Sequence, residues 1–488
     1  MNLEHLIKGL NITPYAHQLK AVDFFADKKD GLLFFEMGTG KTGTSILTYR
    51  QWCTDNGRLL RCLIVAPSVV LYNWKDEFAL FSKIDKDKIY PLVRGTGKQK
   101  ASIVIDKILP VNDGMIVNVN YEALLNEELF LAIEKWNPEV IIFDEVHYLK
   151  NSTTKRSKLC IRLAEQSKYR LGLTGTPILK NSMDIFGIFR AVDLGKTFGS
   201  SKFVFQQKYL IDKNARIPHL NFPNYINNPA TYQELTEKIY KKSLRKLKSE
   251  CLDLPDLIKI TRYAEWGVKQ KRAYEDLRKE FLTFVENRNA EGEPRSVTAT
   301  LAVVKAVRML QVASGFVMTD DGVLHEFDEI PKLDLTLDLL QEIVIDNGEK
   351  CILWTAYKHN YKMLSRICDK LKIKHCFITG EQSTVEKRES ELAFQKDKET
   401  MVVIANASAG GIGINLTAAS HSIVYSRSFS LAHSLQSEAR NHRGGSEIHE
   451  KIVKIDLAIR GSLDEQVMLA LSSKHQISTD ILDIVKRE

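Results

Sequence analysis

The chain has 488 residues, 44% of them apolar and 27% charged, with a formal net charge of +8. That length exceeds one typical hydrophobic core and predicts two or three domains, and the composition is that of an ordinary globular protein. No apolar run approaches the roughly twenty residues of a membrane span, and a charge excess this mild allows a polyanionic partner without requiring one.

The first residues, Met1-Asn2-Leu3-Glu4-His5, lack the basic-then-apolar pattern of a secretion signal. The expected location is the cytoplasm or nucleoid, or the host cytoplasm if the source is a virus. The seven cysteines, at 53, 62, 160, 251, 351, 368 and 376, show no C-x-x-C spacing. This argues against a zinc site or a disulfide framework and for a reducing interior, with each cysteine acting as a small buried hydrophobe.

In chain order, Leu32 to Phe35 reads as a strand, Glu36 to Gly40 as a tight glycine turn, and Thr42 to Trp52 as a helix. Successive N–H groups in such a turn cradle phosphate oxygens, and the helix points its positive end at them. Lys41 then reaches the β- and γ-phosphates of a nucleotide, and the Thr42 hydroxyl holds Mg²⁺. The strict form of this loop has Gly where Phe35 stands. Leu63–Ala66 and Met115–Val119 are the next strand candidates, followed by Val140–Phe143, which ends in Asp144-Glu145. Asp144 suits the metal and Glu145 suits polarising an attacking water. A further strand is expected at Arg170–Thr174.

From about 197 to 330 the pattern becomes charged and helix-periodic, at 231–250, 267–286 and 298–312, with an exposed loop at Asn287–Arg295. This stretch is too poor in strands to continue the first sheet. From about 332 short apolar runs return at 350–354, 375–378, 401–405, 422–425 and 451–455. The fold expected is α/β, two parallel-sheet lobes in tandem with a mainly helical insert and linker between them. The divisions expected are 1–250, 251–331 and 332–488. The second lobe has no phosphate loop of its own. Its Arg440 and Arg443, three apart, are expected on one helix face, where both reach a γ-phosphate held by the first lobe.

Taken together, these runs resemble, in order and over nearly the whole chain, the Swi/Snf-type DNA translocases of helicase superfamily two. The resemblance rests on Pro14-Tyr15-Ala16-His17-Gln18, Glu36 to Thr42, Leu63 to Ser68 with Asn73-Trp74, and Asn120 to Leu124. It continues through Asp144-Glu145-Val146-His147, Thr174-Gly175-Thr176-Pro177, the basic run 241–248 with Leu254-Pro255, Trp354 to Tyr357, Thr379-Gly380, Ala409 to Ala418 and Gln436 to Arg443. It implies two RecA-like lobes and ATP·Mg²⁺ contacts from Gln18, Gly38, Thr39, Gly40, Lys41, Thr42 and Gly413. The implied catalytic groups are Lys41, Asp144, Glu145, Arg440 and Arg443, with Thr42 and Asp144 on the metal. It also implies DNA-backbone contacts from Ser68, Asn73, Tyr121, Thr174, Thr355, Thr379 and Asn415. The chain departs from the family at Phe35, Ser408 and Ala439, and at Arg443-Gly444-Gly445-Ser446. Trp74 and Trp354 are expected in the core rather than as stacking platforms.

The activity implied is a DNA-dependent ATPase that walks on double-stranded DNA without sequence preference. Single-stranded DNA or RNA is a further possible partner, and no membrane is involved. Two alternatives are a strand-separating or annealing helicase, and a slow ATP-state clamp serving a partner. The economy of the chain suggests a bare motor of bacterial or viral origin.

Overall fold

All five side chains of Val140–Asp144 are buried, as are those of Cys62–Ala66 and Tyr169–Leu173. A strand alternates its side chains between two faces, so burial of every position requires helices on both faces, the setting of a parallel sheet. The computed structural model describes residues 4–471 except 11, 112, 176–181, 215–224, 252–253, 292–294, 320, 408–413 and 429. In it the first sheet has seven strands, in the order Ile89–Pro91, Ile116–Asn120, Cys62–Ala66, Val140–Asp144, Tyr169–Leu173, Asp30–Phe35 and Ser243–Lys246. Every pairing is parallel.

The second sheet has six strands, in the order Asp256–Ala264, Lys451–Ile459, His421–Val424, Cys351–Trp354, Val402–Ala405 and His375–Ile378, again all parallel. The expected class, two parallel-sheet α/β lobes, is therefore the observed one. The chain divides into two compact units, the first ending at Asp253 and the second beginning at Leu254. Trp74 and Trp354 are core residues, and all seven cysteines are free thiols. Among the described residues no helix is long and apolar enough to cross a membrane.

The middle of the chain corrects the sequence reading. The expected helix over 231–250 is a helix only at Tyr232–Lys242, after which Ser243–Lys246 turns into a strand and pairs with Asp30–Phe35. The basic run 241–248 is thus mostly a sheet edge rather than a helical face. Asp256–Ala264 likewise pairs along all nine residues with Lys451–Ile459. The region expected to be poor in strands therefore closes one edge of each sheet. The expected loop at 287–295 is helical as far as Glu291, in the helix Val268–Glu291. Two short antiparallel pairs, Leu210–Asp212 with Tyr225–Asn227 and Phe316–Met318 with Leu324–Glu326, complete this region.

Candidate nucleotide site

Ligands of parallel sheets bind beyond the carboxyl ends of the strands. In the first unit the candidate residues leave the sheet at that edge, the loop after Phe35, Ser68 and Asn73 after Ala66, Tyr121 after Asn120, Asp144-Glu145 and Thr174. The loop turns on Gly38 (φ 89°) and Gly40 (φ 83°), both in the left-handed region that disfavours side chains. A Cβ on Gly40 would also lie 2.5 Å from Gln18 Nε2. The helix Lys41–Asp55 begins directly after Gly40, so its first N–H groups face the space the loop encloses. Lys41 Nζ spans the loop, donating to Phe35 O at 2.9 Å, and Thr42 is the second residue of the helix.

Neighbouring elements fix the loop. The buried His17 lies with Nε2 2.8 Å from Thr39 O and donates to it, and Gln18 Nε2 donates to Gly40 O at 3.0 Å. Gln18 Oε1 accepts from Tyr15 N at 2.8 Å. Gln18, expected at the adenine, thus lies beneath the phosphate loop with its amide engaged there. Glu36 is held by the edge strand that the sequence reading missed, its N–H donating to Lys246 O and its Oε2 accepting from Lys248 N, both at 2.8 Å.

Asp144 and Glu145 are both buried. Trp74 Nε1 donates to Asp144 Oδ2 at 3.0 Å, and the Tyr121 hydroxyl donates to Asp144 O at 2.8 Å. Burial, and then the charge of Glu145, push the Asp144 carboxyl above the usual carboxylate range; the Trp74 bond and the charge of Lys41 pull it partly back. Glu145 has φ 52° and ψ 52°, a left-handed backbone that costs a non-glycine residue about 1–2 kcal/mol. His147 Nδ1 lies 3.1 Å from both Glu145 Oε2 and Thr174 Oγ1, which sets the Glu145 carboxylate beside the end of the next strand.

The structure therefore gathers Gln18, the 38–42 loop, Asp144, Glu145 and Thr174 at one sheet edge. Sequence reading gave no role at the site to His17, His147 or Trp74. Only His147, beside Glu145, is near the carboxylates in sequence; His17 and Trp74 lie 22 and 70 residues from the partners they reach, so their roles depend on how distant segments adjoin. Tyr121 is corrected in one respect. Its side chain is fully buried, with the hydroxyl on Asp144 O, and presents nothing to a DNA backbone. Thr174, Thr355 and Thr379 are also buried, whereas Ser68 is exposed and Asn73 and Asn415 are half-buried.

In the second unit, the helix Leu431–Glu438 ends before either arginine, so Arg440 and Arg443 do not share a helix face as expected. Arg440 is buried, its Nε donating to Gln436 O at 3.0 Å and its Nη1 to Ile414 O at 3.3 Å. Arg443 is half-buried. Gly413 and Ser408, like Thr176 and Pro177, lie outside the described residues.

Comparison with known proteins gives two domain matches. Residues 17–312 match the SNF2-related domain and residues 332–445 the helicase conserved C-terminal domain. Similar proteins include an uncharacterized ATP-dependent helicase of Mycoplasma genitalium, 24% identical over 92% of this chain and 40% of that protein. They also include PICKLE, a CHD3-type chromatin-remodeling factor of Arabidopsis thaliana, 26% identical over 96% of this chain and 34% of that protein. A third is the putative ATP-dependent helicase/translocase YwqA of Bacillus subtilis, 25% identical over 92% of this chain and 46% of that protein. The chain thus spans less than half the length of these relatives. Among solved structures, the SWI2/SNF2 ATPase core of Sulfolobus solfataricus in complex with dsDNA is 22% identical, with a TM-score of 0.42, covering 98% of this chain and 95% of that one.

Proposed function

The chain belongs to the SNF2-related family and is an ATP-hydrolysing enzyme of the helicase class, and on that premise we propose that it is a DNA-dependent ATPase that moves along double-stranded DNA. The observation that carries the ATP chemistry is the meeting, at one sheet edge, of a left-handed glycine loop opening a helix with two buried adjoining carboxylates. The duplex DNA preference rests on family likeness, which takes in a helicase/translocase and a chromatin-remodeling factor.

The donor set fits Mg²⁺. Two buried carboxylates, the first pushed toward protonation by burial and by the charge of the second, stand at the same edge as a helix-start threonine. Asp144 and Thr42 would hold the ion, which when bound neutralises charge on the transferring phosphoryl group. The loop N–H groups bind and orient the phosphates. Lys41, released from Phe35 O, follows the β- and γ-phosphates. Glu145, whose carboxylate lies beside His147, orients the attacking water and takes its proton. Arg443 is the residue proposed to supply transition-state charge. DNA contacts are expected from Ser68, Asn73 and Asn415, with the backbone around Tyr121, Thr174, Thr355 and Thr379.

The test is steady-state ATP hydrolysis without nucleic acid and with single-stranded DNA, duplex DNA or duplex RNA, wild type beside Glu145→Gln. Stimulation by duplex DNA, with Glu145→Gln binding ATP but turning over at least ~100-fold more slowly, is the expected result. Preference for a single strand or for RNA points to a strand-separating helicase, and indifference to every nucleic acid removes DNA from the proposal.

A further inference from the structure

Two segments that flank the nucleotide site end on the same residue. The first is the turn Ser68–Val70 and the helix Leu71–Phe81, which follow the strand Cys62–Ala66. From it Trp74 Nε1 reaches Asp144 Oδ2 at 3.0 Å. The second segment leaves the strand Ile116–Asn120, and from it the Tyr121 hydroxyl reaches Asp144 O at 2.8 Å. Asn118 Nδ2 donates to Leu71 O at 3.2 Å, which ties the two segments to each other. Both rings are almost fully buried, Trp74 at 1% and Tyr121 at 0% exposure.

Packing alone does not call for these polar atoms, because an apolar ring fills much of either place; what such a ring removes is a donor to the buried Asp144. Their effect is directional. The indole N–H fixes the rotation of the Asp144 carboxylate, and the phenol fixes the backbone from which that carboxylate springs. A hydrogen bond weakens steeply once its angle falls below ~120°, so a small shift of either segment resets Asp144. Ser68 is exposed and Asn73 half-buried, only six residues and one residue before Trp74. A ligand that seats on them therefore acts on the element that carries the indole.

We infer that Trp74 and Tyr121 are positioning residues through which DNA held at the Ser68–Asn73 segment regulates the setting of Asp144, and with it ATP turnover. This rests on the DNA-dependent ATPase reading above. Coupling between two binding sites is reciprocal, so nucleotide must alter DNA affinity by the factor with which DNA alters nucleotide affinity.

The experiment measures duplex DNA affinity by fluorescence anisotropy, with and without a non-hydrolysable ATP analogue, and DNA-stimulated turnover, for wild type and Trp74→Phe. Wild type is expected to show an affinity ratio of at least about fivefold, the lower range of such coupling. In Trp74→Phe the ratio and the DNA stimulation both fall toward one, while duplex affinity without nucleotide stays within about twofold of wild type. A general loss of structure would instead lower that affinity and the melting temperature. If Trp74→Phe shows no cooperative melting, Tyr121→Phe is read on the same ratio, with the same fall expected. Full coupling retained in the folded variant overturns this inference and leaves the ATPase reading standing. A wild type indifferent to DNA in both measurements overturns the two together.

Discussion

Arg440 is 5% exposed and donates to Gln436 O and Ile414 O, whereas Arg443, three residues on, is half-buried beyond the end of its helix. These surroundings separate two residues that look equivalent in sequence. Truncating Arg440 leaves buried carbonyls without their donor, at about 1–3 kcal/mol each. Arg440→Ala should therefore lower the melting temperature together with turnover. Arg443→Ala should leave the melting temperature within a few degrees of wild type yet reduce kcat by ~10³-fold, about 4 kcal/mol of transition-state stabilisation. Thermal melts and steady-state kinetics on the same preparations decide it. An unchanged kcat in Arg443→Ala returns that residue to a surface role.

The helix Met183–Val192 shows at the next scale how the carboxylate turn is supported. A Cβ on Gly187 would stand 1.9 Å from Lys150 O and 2.8 Å from Leu149 O, so this helix lies directly against the turn Val146–Leu149 that follows Asp144-Glu145. Gly187→Ala gains about 1 kcal/mol of helix propensity, but the clash is with backbone, which has no rotamer to escape into. Overpacking should win, with a net loss of about 2 kcal/mol, read as a lower midpoint in urea unfolding. Asp30 plays a similar part for the edge strand. It is buried among Arg170, Lys196 and Lys242, the last of which adjoins the strand Ser243–Lys246. Burial alone would raise its carboxyl, and the bonds from Lys242 and Lys196 outweigh burial and hold it below the usual range. A depressed carboxylate stabilises the fold above its unfolded value, near pH 4, and loses that contribution as pH falls further. The stability of Asp30→Asn should therefore fall less steeply than wild type between pH 5 and pH 3, from a starting point about 3 kcal/mol lower.

The same edge strand marks the limit of what the sequence displays. Val140–Asp144 and Cys351–Trp354 were legible because burial on both faces demands an unbroken apolar run. Ser243–Lys246 carries one leucine among polar residues, and Asp256–Ala264 is mostly exposed. Edge strands of this kind take their structure from the neighbour they pair with, which no local pattern reveals. The loop and its carboxylates were legible because their chemistry is local in sequence. The clasp of Trp74, Tyr121 and His147 was not, because it forms only when distant strands come side by side.

For the molecule as a whole, the charge excess of +8 becomes informative only beside the candidate DNA contacts. Those that reach the surface, Ser68, Asn73 and Asn415, are neutral side chains, suited to positioning phosphate oxygens but unable to displace counterions. Long-range attraction must come from lysines and arginines around them, and ionic strength reports how many take part. Each phosphate neutralised in a duplex lowers the observed affinity by about 3.5-fold between 50 and 200 mM salt, following a slope near −0.9 per contact. Duplex affinity should therefore fall at least ~40-fold over that range if about three basic side chains engage the backbone. Two duplexes of unrelated sequence should lie within about twofold of each other at every salt concentration, because no contact in the proposed set reads a base edge. Anisotropy titrations across the salt series test both expectations at once. A flat salt response would confine binding to the neutral contacts, and a strong difference between the duplexes would require a base-reading element absent from the proposed set.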